Sequence, residues 1–157
     1  MALITLNNRS LVNADVGTIL QVVQTTLTTK LTTTSASFVE ASGFNVAITP
    51  SATSSKVLIM VTTNTHNTAT NAGKTYVTLA KGSTVLQANG FAFHSTNSGD
   101  DSFSSISAFN YLDSPNTTSQ VVYRWYLGVY DGGGGMQAHI NPDGSNDASS
   151  ITCLEIA

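Results

Sequence analysis

Short runs of β-prone residues, each followed by a polar turn, are the dominant pattern of this sequence. Over residues 121–129 the odd positions are Val, Tyr, Trp, Leu and Val, whereas the even positions include Arg124. Alternation with a period of two is typical of a half-buried strand rather than a helix. Residues 149–156 alternate in the same way but have apolar side chains on both faces, which predicts a strand that is partly covered on each side.

The predicted strands are Thr18–Thr34, Phe38–Glu40, Phe44–Thr49, Lys56–Asn64, Lys74–Ala80, Ser83–Gln87, Ser102–Leu112, Ser119–Tyr130, Met136–Ile140 and Ser149–Ile156. Turn chemistry separates them, as at Thr49-Pro50-Ser51 and Asn141-Pro142-Asp143-Gly144. Proline fixes φ, glycine allows positive φ, and Asn or Asp can bond its own backbone. No stretch has the period of an amphipathic helix, and only a short turn near Asn13–Gly17 is expected.

Many short strands joined by regular turns indicate a sandwich or a barrel. We therefore predict an all-β, antiparallel two-sheet sandwich that resembles a jelly roll, formed by residues 18–157. Residues 1–17 are predicted to be an extended N-terminal attachment segment. This segment carries apolar Leu3, Ile4 and Leu6, followed by Arg9. It either docks on a partner or adds an edge strand to its own sandwich, and the sequence leaves both readings open.

Composition narrows the range of partners. Charged residues make up 10% of the chain and the net charge is −3, against about a quarter charged in an average globular protein. The six basic residues are scattered singly, so no cluster is available to neutralise several phosphates, and no nucleic-acid partner is predicted. No apolar run approaches the roughly 20 residues of a membrane helix. The first residues lack the pattern of an export signal.

The candidate chemistry is sparse. The three histidines, His66, His94 and His139, lack the close spacing of a metal site, so no metal or other cofactor is predicted. The run of four glycines after Asp131 lacks the Gly-Lys-Ser/Thr ending of a phosphate loop. No serine lies in a Gly-x-Ser-x-Gly motif, and the one cysteine, Cys153, falls within a predicted strand. The chain is therefore predicted not to be an enzyme.

Aromatic residues are the remaining candidates for binding. Tyr126 and Tyr130 fall on the polar face of their predicted strand, where aromatic rings could stack on a sugar. The opposite, apolar face is predicted to lie in the core or at a subunit interface; it consists of Val121, Tyr123, Trp125, Leu127 and Val129.

Several strings resemble a domain that recurs in bacteriophage structural proteins. They include Ser37-Phe38-Val39-Glu40, Ile48-Thr49-Pro50-Ser51 and Ser54-Ser55-Lys56-Val57-Leu58-Ile59-Met60-Val61, as well as Asn110-Tyr111-Leu112-Asp113-Ser114-Pro115 with Thr118-Ser119-Gln120-Val121-Val122-Tyr123. The ending Ser150–Ala157 and the opening Ile4–Arg9 are similar to the ends of such chains. A weaker similarity links the strand order to the trimeric C1q and tumour-necrosis-factor jelly rolls.

The resemblance implies a non-enzymatic virion surface protein, assembled in the host cytoplasm and trimeric. Its other partners would be virion proteins of the tail or capsid and, at a fibre tip, a host surface glycan or protein. The alternatives are a capsid decoration protein and a cellular carbohydrate-binding module. The exposed loops expected to face a receptor contain His66, Asn67, Asn97, Asp100, Asp101 and Asp143.

Overall fold

The computed structural model describes residues 17–68, 73–86, 91–95, 103–131 and 135–157. Within these ranges the chain forms strands and a single turn of 3-10 helix, and no α-helix. The strands are β1 (Ile19–Leu27), β2 (Leu31–Thr33), β3 (Val39–Ile48), β4 (Lys56–Thr68), β5 (Gly73–Lys81), β6 (Thr84–Val85), β7 (Phe91–Ser95), β8 (Phe103–Asp113), β9 (Val121–Asp131), β10 (Gln137–Ile140) and β11 (Ser149–Ile156). The predicted all-β fold is confirmed.

The strands form two antiparallel sheets that pack face to face. In sheet I, β1, β11, β4 and β8 lie side by side, and β10 and β2 continue the sheet beside the far half of β4. In sheet II the order is β3, β9, β5, with both β6 and β7 paired to β5. The long strand β4 is the spine of sheet I, because it pairs with β8 along Val57–Asn67 and with β11 and then β10 on its other side. The predicted two-sheet sandwich is confirmed, and its strand order is jelly-roll-like.

The two ends of the sandwich differ in what they carry. At one end, which we call the termini end, the Ala157 N–H donates to the Thr18 carbonyl at 3.0 Å, so both ends of the described chain meet there. The opposite end, the turn end, carries the 3-10 turn Gly144–Asn146 between β10 and β11. Because β1 starts at the termini end, residues 1–16 join the sandwich there.

Side chains that alternate along β4 and β9 build the core between the sheets. Val57, Ile59 and Val61 point inward from sheet I and are at most 1% exposed. They face sheet II, where Trp125 is fully buried with its ring 5.9 Å from that of Phe109. Burial of apolar area, at about 25 cal/mol per Å², is the main force holding the two sheets together.

Apart from shifts of one or two residues at strand ends, the strands differ from the sequence prediction in four places. The predicted run Thr18–Thr34 divides into β1 and β2, whereas two short predicted runs join as β3 through a register shift between Glu40 and Asn45. Gly43, with φ of 79°, supplies the positive φ within that irregular stretch. Strand β4 continues past Asn64 to Thr68, and β7 was not predicted.

The predicted attachment segment lies outside the described residues, apart from Gly17. The turn expected near Asn13–Gly17 lies outside them in the same way. In the part of the chain that the structure describes, no helix has the length and apolar character needed to cross a membrane.

Candidate interaction surfaces

A buried carboxylate at the termini end ties three segments together. Glu155 on β11 accepts hydrogen bonds from the Ser51 N–H and hydroxyl, both at 2.6 Å, and from Gln21 Nε2 on β1 at 2.5 Å. These hydrogen bonds, first from Ser51 and then from Gln21, lower the pKa of Glu155 to about 2. The side chain therefore stays ionised and holds the β3–β4 connection against β1 and β11.

A second buried carboxylate, Asp113, joins the two sheets at the same end. It pairs with Lys81 Nζ at 2.9 Å and accepts a hydrogen bond from the Tyr123 hydroxyl at 2.7 Å. Burial, followed by the hydrogen bond to Asp113, raises the pKa of Tyr123. The phenol therefore stays protonated, and the group serves packing rather than proton transfer.

Two histidines form a cross-strand pair near the turn end. His66 on β4 is in register with His139 on β10, and their ring centroids are 5.5 Å apart. Their Nδ1 atoms lie 2.8 Å from hydroxyls on the flanking strands, Ser104 for His66 and Thr32 for His139. Burial, and then the charge of Lys30, lowers the pKa of both imidazoles, that of His139 to about 4. Both rings are therefore neutral near pH 7.

This pair corrects the prediction that His66 and Asn67 lie in an exposed loop. Strand β4 continues through both residues, so period-two alternation directs His66 outward and Asn67 inward, where Asn67 is 1% exposed. The side-chain amide of Asn67 finds no hydrogen-bond partner among the described residues. Neither residue is available at a loop tip to meet a receptor.

The described residues contain no cluster of three or more His, Cys, Asp or Glu side chains that could hold a metal ion. His94 lies on sheet II, where its backbone pairs with Thr75 of β5, away from the two paired histidines. Two imidazoles alone do not complete a structural zinc site, which takes four protein ligands.

The other residues predicted in receptor-facing loops divide into two groups. Asn97, Asp100 and Asp101 lie outside the described residues. Asp143 is exposed at the start of the 3-10 turn, and its backbone N–H donates to Asp147 at 2.8 Å. The carboxylate of Asp147 also accepts from the Asn64 amide at 2.8 Å, so it holds the turn rather than a ligand.

The residues predicted for the core or a subunit interface all lie inside the sandwich. Tyr123, Trp125, Leu127 and Val129 are at most 3% exposed and belong to the single buried cluster between the sheets. Cys153 is also buried there, and burial raises the pKa of its thiol to about 12. A protonated, enclosed thiol is not a nucleophile.

A shallow hollow lies beside the Gly82 turn and is lined by Lys81, Arg124 and the connection before β9. Both basic side chains are already engaged, Lys81 with Asp113 and Arg124 with Glu40 at 2.8 Å. The hollow therefore offers neither a free cation for an anionic ligand nor a nucleophile with a base.

The outer face of sheet II carries tyrosines and an ion pair. Tyr130 is 58% exposed, and its ring meets that of Tyr76 edge-on, with centroids 6.4 Å apart. Tyr126 lies on the same face and is in register with Glu40, the partner of Arg124. This face presents aromatic rings beside hydrogen-bonding groups, the combination that suits a polar ligand such as a sugar.

The outer face of sheet I is different, and the sequence analysis did not single it out. The register places Val22, Leu154, Leu58 and Leu112 opposite one another across β1, β11, β4 and β8. We call these four residues the apolar row. At the two edges of the sheet, Val22 is 57% and Leu112 52% exposed. The sequence does contain a signal for this face, because residues 149–156 carry apolar side chains on both faces of the strand.

Comparisons with known proteins give a likeness of fold only. No family model matches the sequence, and no curated protein matches it. Among solved structures, the chain is similar to one from the T13 viral particle of infectious bursal disease virus, at 12% identity and a TM-score of 0.47, over 99% of this chain and 41% of that one. A chain of the Gt strain of the same virus gives 13% identity and a TM-score of 0.44, over 99% and 44%. The chain thus spans less than half of these proteins, and a likeness of this size says nothing about what it binds.

Proposed function

We propose that this chain is a non-enzymatic structural protein of a bacteriophage particle, exposed on its surface and self-associated as a trimer. The sequence strings shared with phage structural proteins support a virion role. The described residues bring no nucleophile, base and metal-ligand set together, which removes the most direct argument for catalysis.

One observation supports a particular orientation of the sandwich on the particle. Both ends of the described chain meet at the termini end, where the Ala157 N–H donates to the Thr18 carbonyl. Strand β11 is central in sheet I, between β1 and β4, so the C-terminus is locked and makes a poor tether. We assign the tether to other virion proteins to residues 1–17, through Leu3, Ile4, Leu6 and Arg9. A short apolar stub can add a strand to a sheet edge on its partner, and Arg9 suits pairing with a carboxylate.

Deletion of residues 2–12 tests this tether. We expect the truncated protein to keep its β-sheet circular dichroism and its self-association but to be missing from purified particles. Loss of the fold on deletion would show instead that the segment pairs within its own sandwich. Retention on the particle would place the attachment elsewhere.

Within this role, the tyrosines on the outer face of sheet II, of which Tyr130 is exposed and Tyr76 half-buried, favour host attachment at a tail-fibre tip over capsid decoration. Tyr76 and Tyr130 could stack on a glycan of the host surface, because tyrosine offers an apolar ring with a polar end. Binding to a glycan array should fall at least tenfold for Tyr130→Ala, while the matched variant Ile106→Ala on sheet I should bind as the wild type does. Electron microscopy with a gold-labelled antibody separates the alternatives. Label at the capsid rather than at the tail would favour the decoration role. Glycan binding without any label on particles would favour a cellular carbohydrate-binding module.

A further inference from the structure

We infer that the outer face of sheet I, centred on the apolar row Val22, Leu58, Leu112 and Leu154, is the surface through which copies of this chain pack against one another. The inference rests on the self-association that the proposed function includes, and it names the face that would carry it.

The row is continuous because the strand register aligns it. Val22 pairs with Leu154, Leu154 with Leu58, and Leu58 with Leu112, so one apolar residue from each strand lies in a line across the sheet. Other large apolar side chains extend the patch. Ile19 (55% exposed), Leu20 (46%) and the half-buried Ile156 lie toward the termini end, and Met60 (43%) is the next outward residue after Leu58 on β4. Scattered apolar residues are ordinary on protein surfaces, but a contiguous patch marks an interaction site.

The rest of the face is almost uncharged. Of the outward positions on the four described strands β1, β4, β8 and β11, only Lys56 carries an ionised side chain near pH 7. In the next line of the register, Gln24, Thr152 and Asn110 flank Met60 and contribute a hydroxyl and two amides. An apolar centre with a polar, uncharged rim is the composition of a protein interface.

The size of the face approaches what one partner contributes to a stable complex. Strands lie about 4.8 Å apart, and outward side chains repeat about every 6.7 Å, so four strands over the four repeats from Lys56 to Thr62 cover roughly 500 Å² before side-chain relief is counted. An interface of standard size takes about 800 Å² from each partner.

A second copy of the same chain is the occupant that this face fits best. A charged partner would find nothing to pair with beyond Lys56, whereas an identical chain brings an equally apolar, equally uncharged surface. The patch also adjoins Thr18, where residues 1–16 join the sandwich. Copies related by an axis parallel to the strands, as in a trimer packed on this face, have their N-terminal segments at one end of the assembly, which suits a shared tether.

The test replaces Leu112 with glutamate, because this side chain is 52% exposed and its loss leaves the core intact. The wild type should be oligomeric in light scattering at micromolar concentration, and Leu112→Glu should be monomeric with unchanged circular dichroism. Ile106→Glu is the matched control, since Ile106 lies on the same face of the same strand, is 75% exposed and falls outside the row. It should remain oligomeric.

The alternatives give distinct results. A monomeric wild type would overturn both the self-association and this inference. An oligomer that survives Leu112→Glu but dissociates with Tyr130→Glu would keep the self-association and overturn the choice of face. A third result has two parts: the oligomer survives Leu112→Glu, and residues 1–16 become sensitive to protease in that variant. This result would show that the chain's own N-terminal segment covers the row, and it also overturns the inference.

A labelling experiment covers the case in which a glutamate variant fails to fold. The native Cys153 is buried, so a maleimide reports on an introduced cysteine. In the oligomer, Leu112→Cys should react at least tenfold more slowly than Ile106→Cys, and dilution to the monomer should remove the difference. Equal rates at both positions in the oligomer would overturn the inference.

Discussion

The two ends of the sandwich bury polar groups of different chemistry, carboxylates at one end and neutral groups at the other. At the termini end, the carboxyl groups of Glu155 and Asp113 each receive hydrogen bonds from other segments. Toward the turn end the buried polar groups are neutral: Ser149 bonds Asn141 and Thr63, and the histidine pair is uncharged near pH 7. The inward side chains of Asn67 and Thr75 find no partner among the described residues. A charge buried with its partners fixes a geometry, whereas an unpaired polar group costs stability. The contrast is therefore between an end held by hydrogen-bonded carboxylates and an end held by neutral groups, two of which are unpartnered among the described residues.

The largest loss of stability is expected from a change in the apolar core, which lies between the two ends. Trp125→Ala should lower the free energy of unfolding by about 3–5 kcal/mol, as large-to-small changes of buried aromatics do. Trp125→Phe is the matched control and should cost less, since the indole Nε1 has no partner among the described residues and the contact with Phe109 is kept. Urea unfolding measures both variants, and equal costs would contradict the assignment of the effect to packing.

A smaller loss is expected at the termini end. Asp113→Ala leaves the Tyr123 hydroxyl buried without its acceptor and removes the ion pair with Lys81, which should cost about 3 kcal/mol. Hydrogen exchange should show the loss concentrated in the ends of β8 and β9 nearest Asp113. Lys81→Met is the comparison variant, because it keeps the aliphatic packing, and it should cost less than Asp113→Ala. A cost for Asp113→Ala below about 1 kcal/mol would show that the stability of the termini end does not depend on this carboxylate.

Acid should loosen the turn end first. The folded pKa of His139, about 4, lies below its ordinary value of 6.5, so the unfolded chain takes up the proton more readily. The stability from the neutral ring is complete above about pH 6.5 and is lost as the pH falls toward 4. The contribution of Glu155 is complete above about pH 4.5 and is lost only toward pH 2.

Hydrogen exchange near pH 7 and near pH 5 separates these windows. Protection of β10 and β2 should fall at the lower pH, while that of β1 and β11 at the termini end should hold. In His139→Gln the change at the turn end should disappear. Simultaneous loss at both ends would contradict the difference between them.

The smallest effect is expected at the unpaired amide. Asn67→Leu replaces a buried polar group that has no partner among the described residues by an apolar group of similar size, so stability should stay within about 1 kcal/mol of the wild type or rise. Thr63→Val is the contrasting variant, because Thr63 accepts a hydrogen bond from Ser149, and it should lower stability. Thermal unfolding compares the two. A marked loss for Asn67→Leu would indicate that its amide binds a group such as an internal water.

The sequence predicted most of the strands because their alternation is local. It missed β7 because Phe91–Ser95 is short and Phe, Ala and Phe do not alternate with polar residues, and it ended β4 early because Thr65, His66 and Asn67 are polar on both faces. It predicted the burial of Trp125 from parity alone. It could not predict the apolar row or the histidine pair, since both depend on the register between strands that are distant along the chain.

The antiparallel pairing of β1 with β11 has a mechanical consequence. Residues Gln21–Leu27 pair in order with Ser149–Glu155, and the chain enters β1 from the termini end. A pull on the N-terminus while the turn end is held would act along the strands, so every hydrogen bond of this ladder would be loaded in shear at once. Strands loaded in shear rupture together, whereas a ladder peeled from its side opens one bond at a time. The β1–β11 ladder should therefore resist tension along its strands and yield to force applied across them.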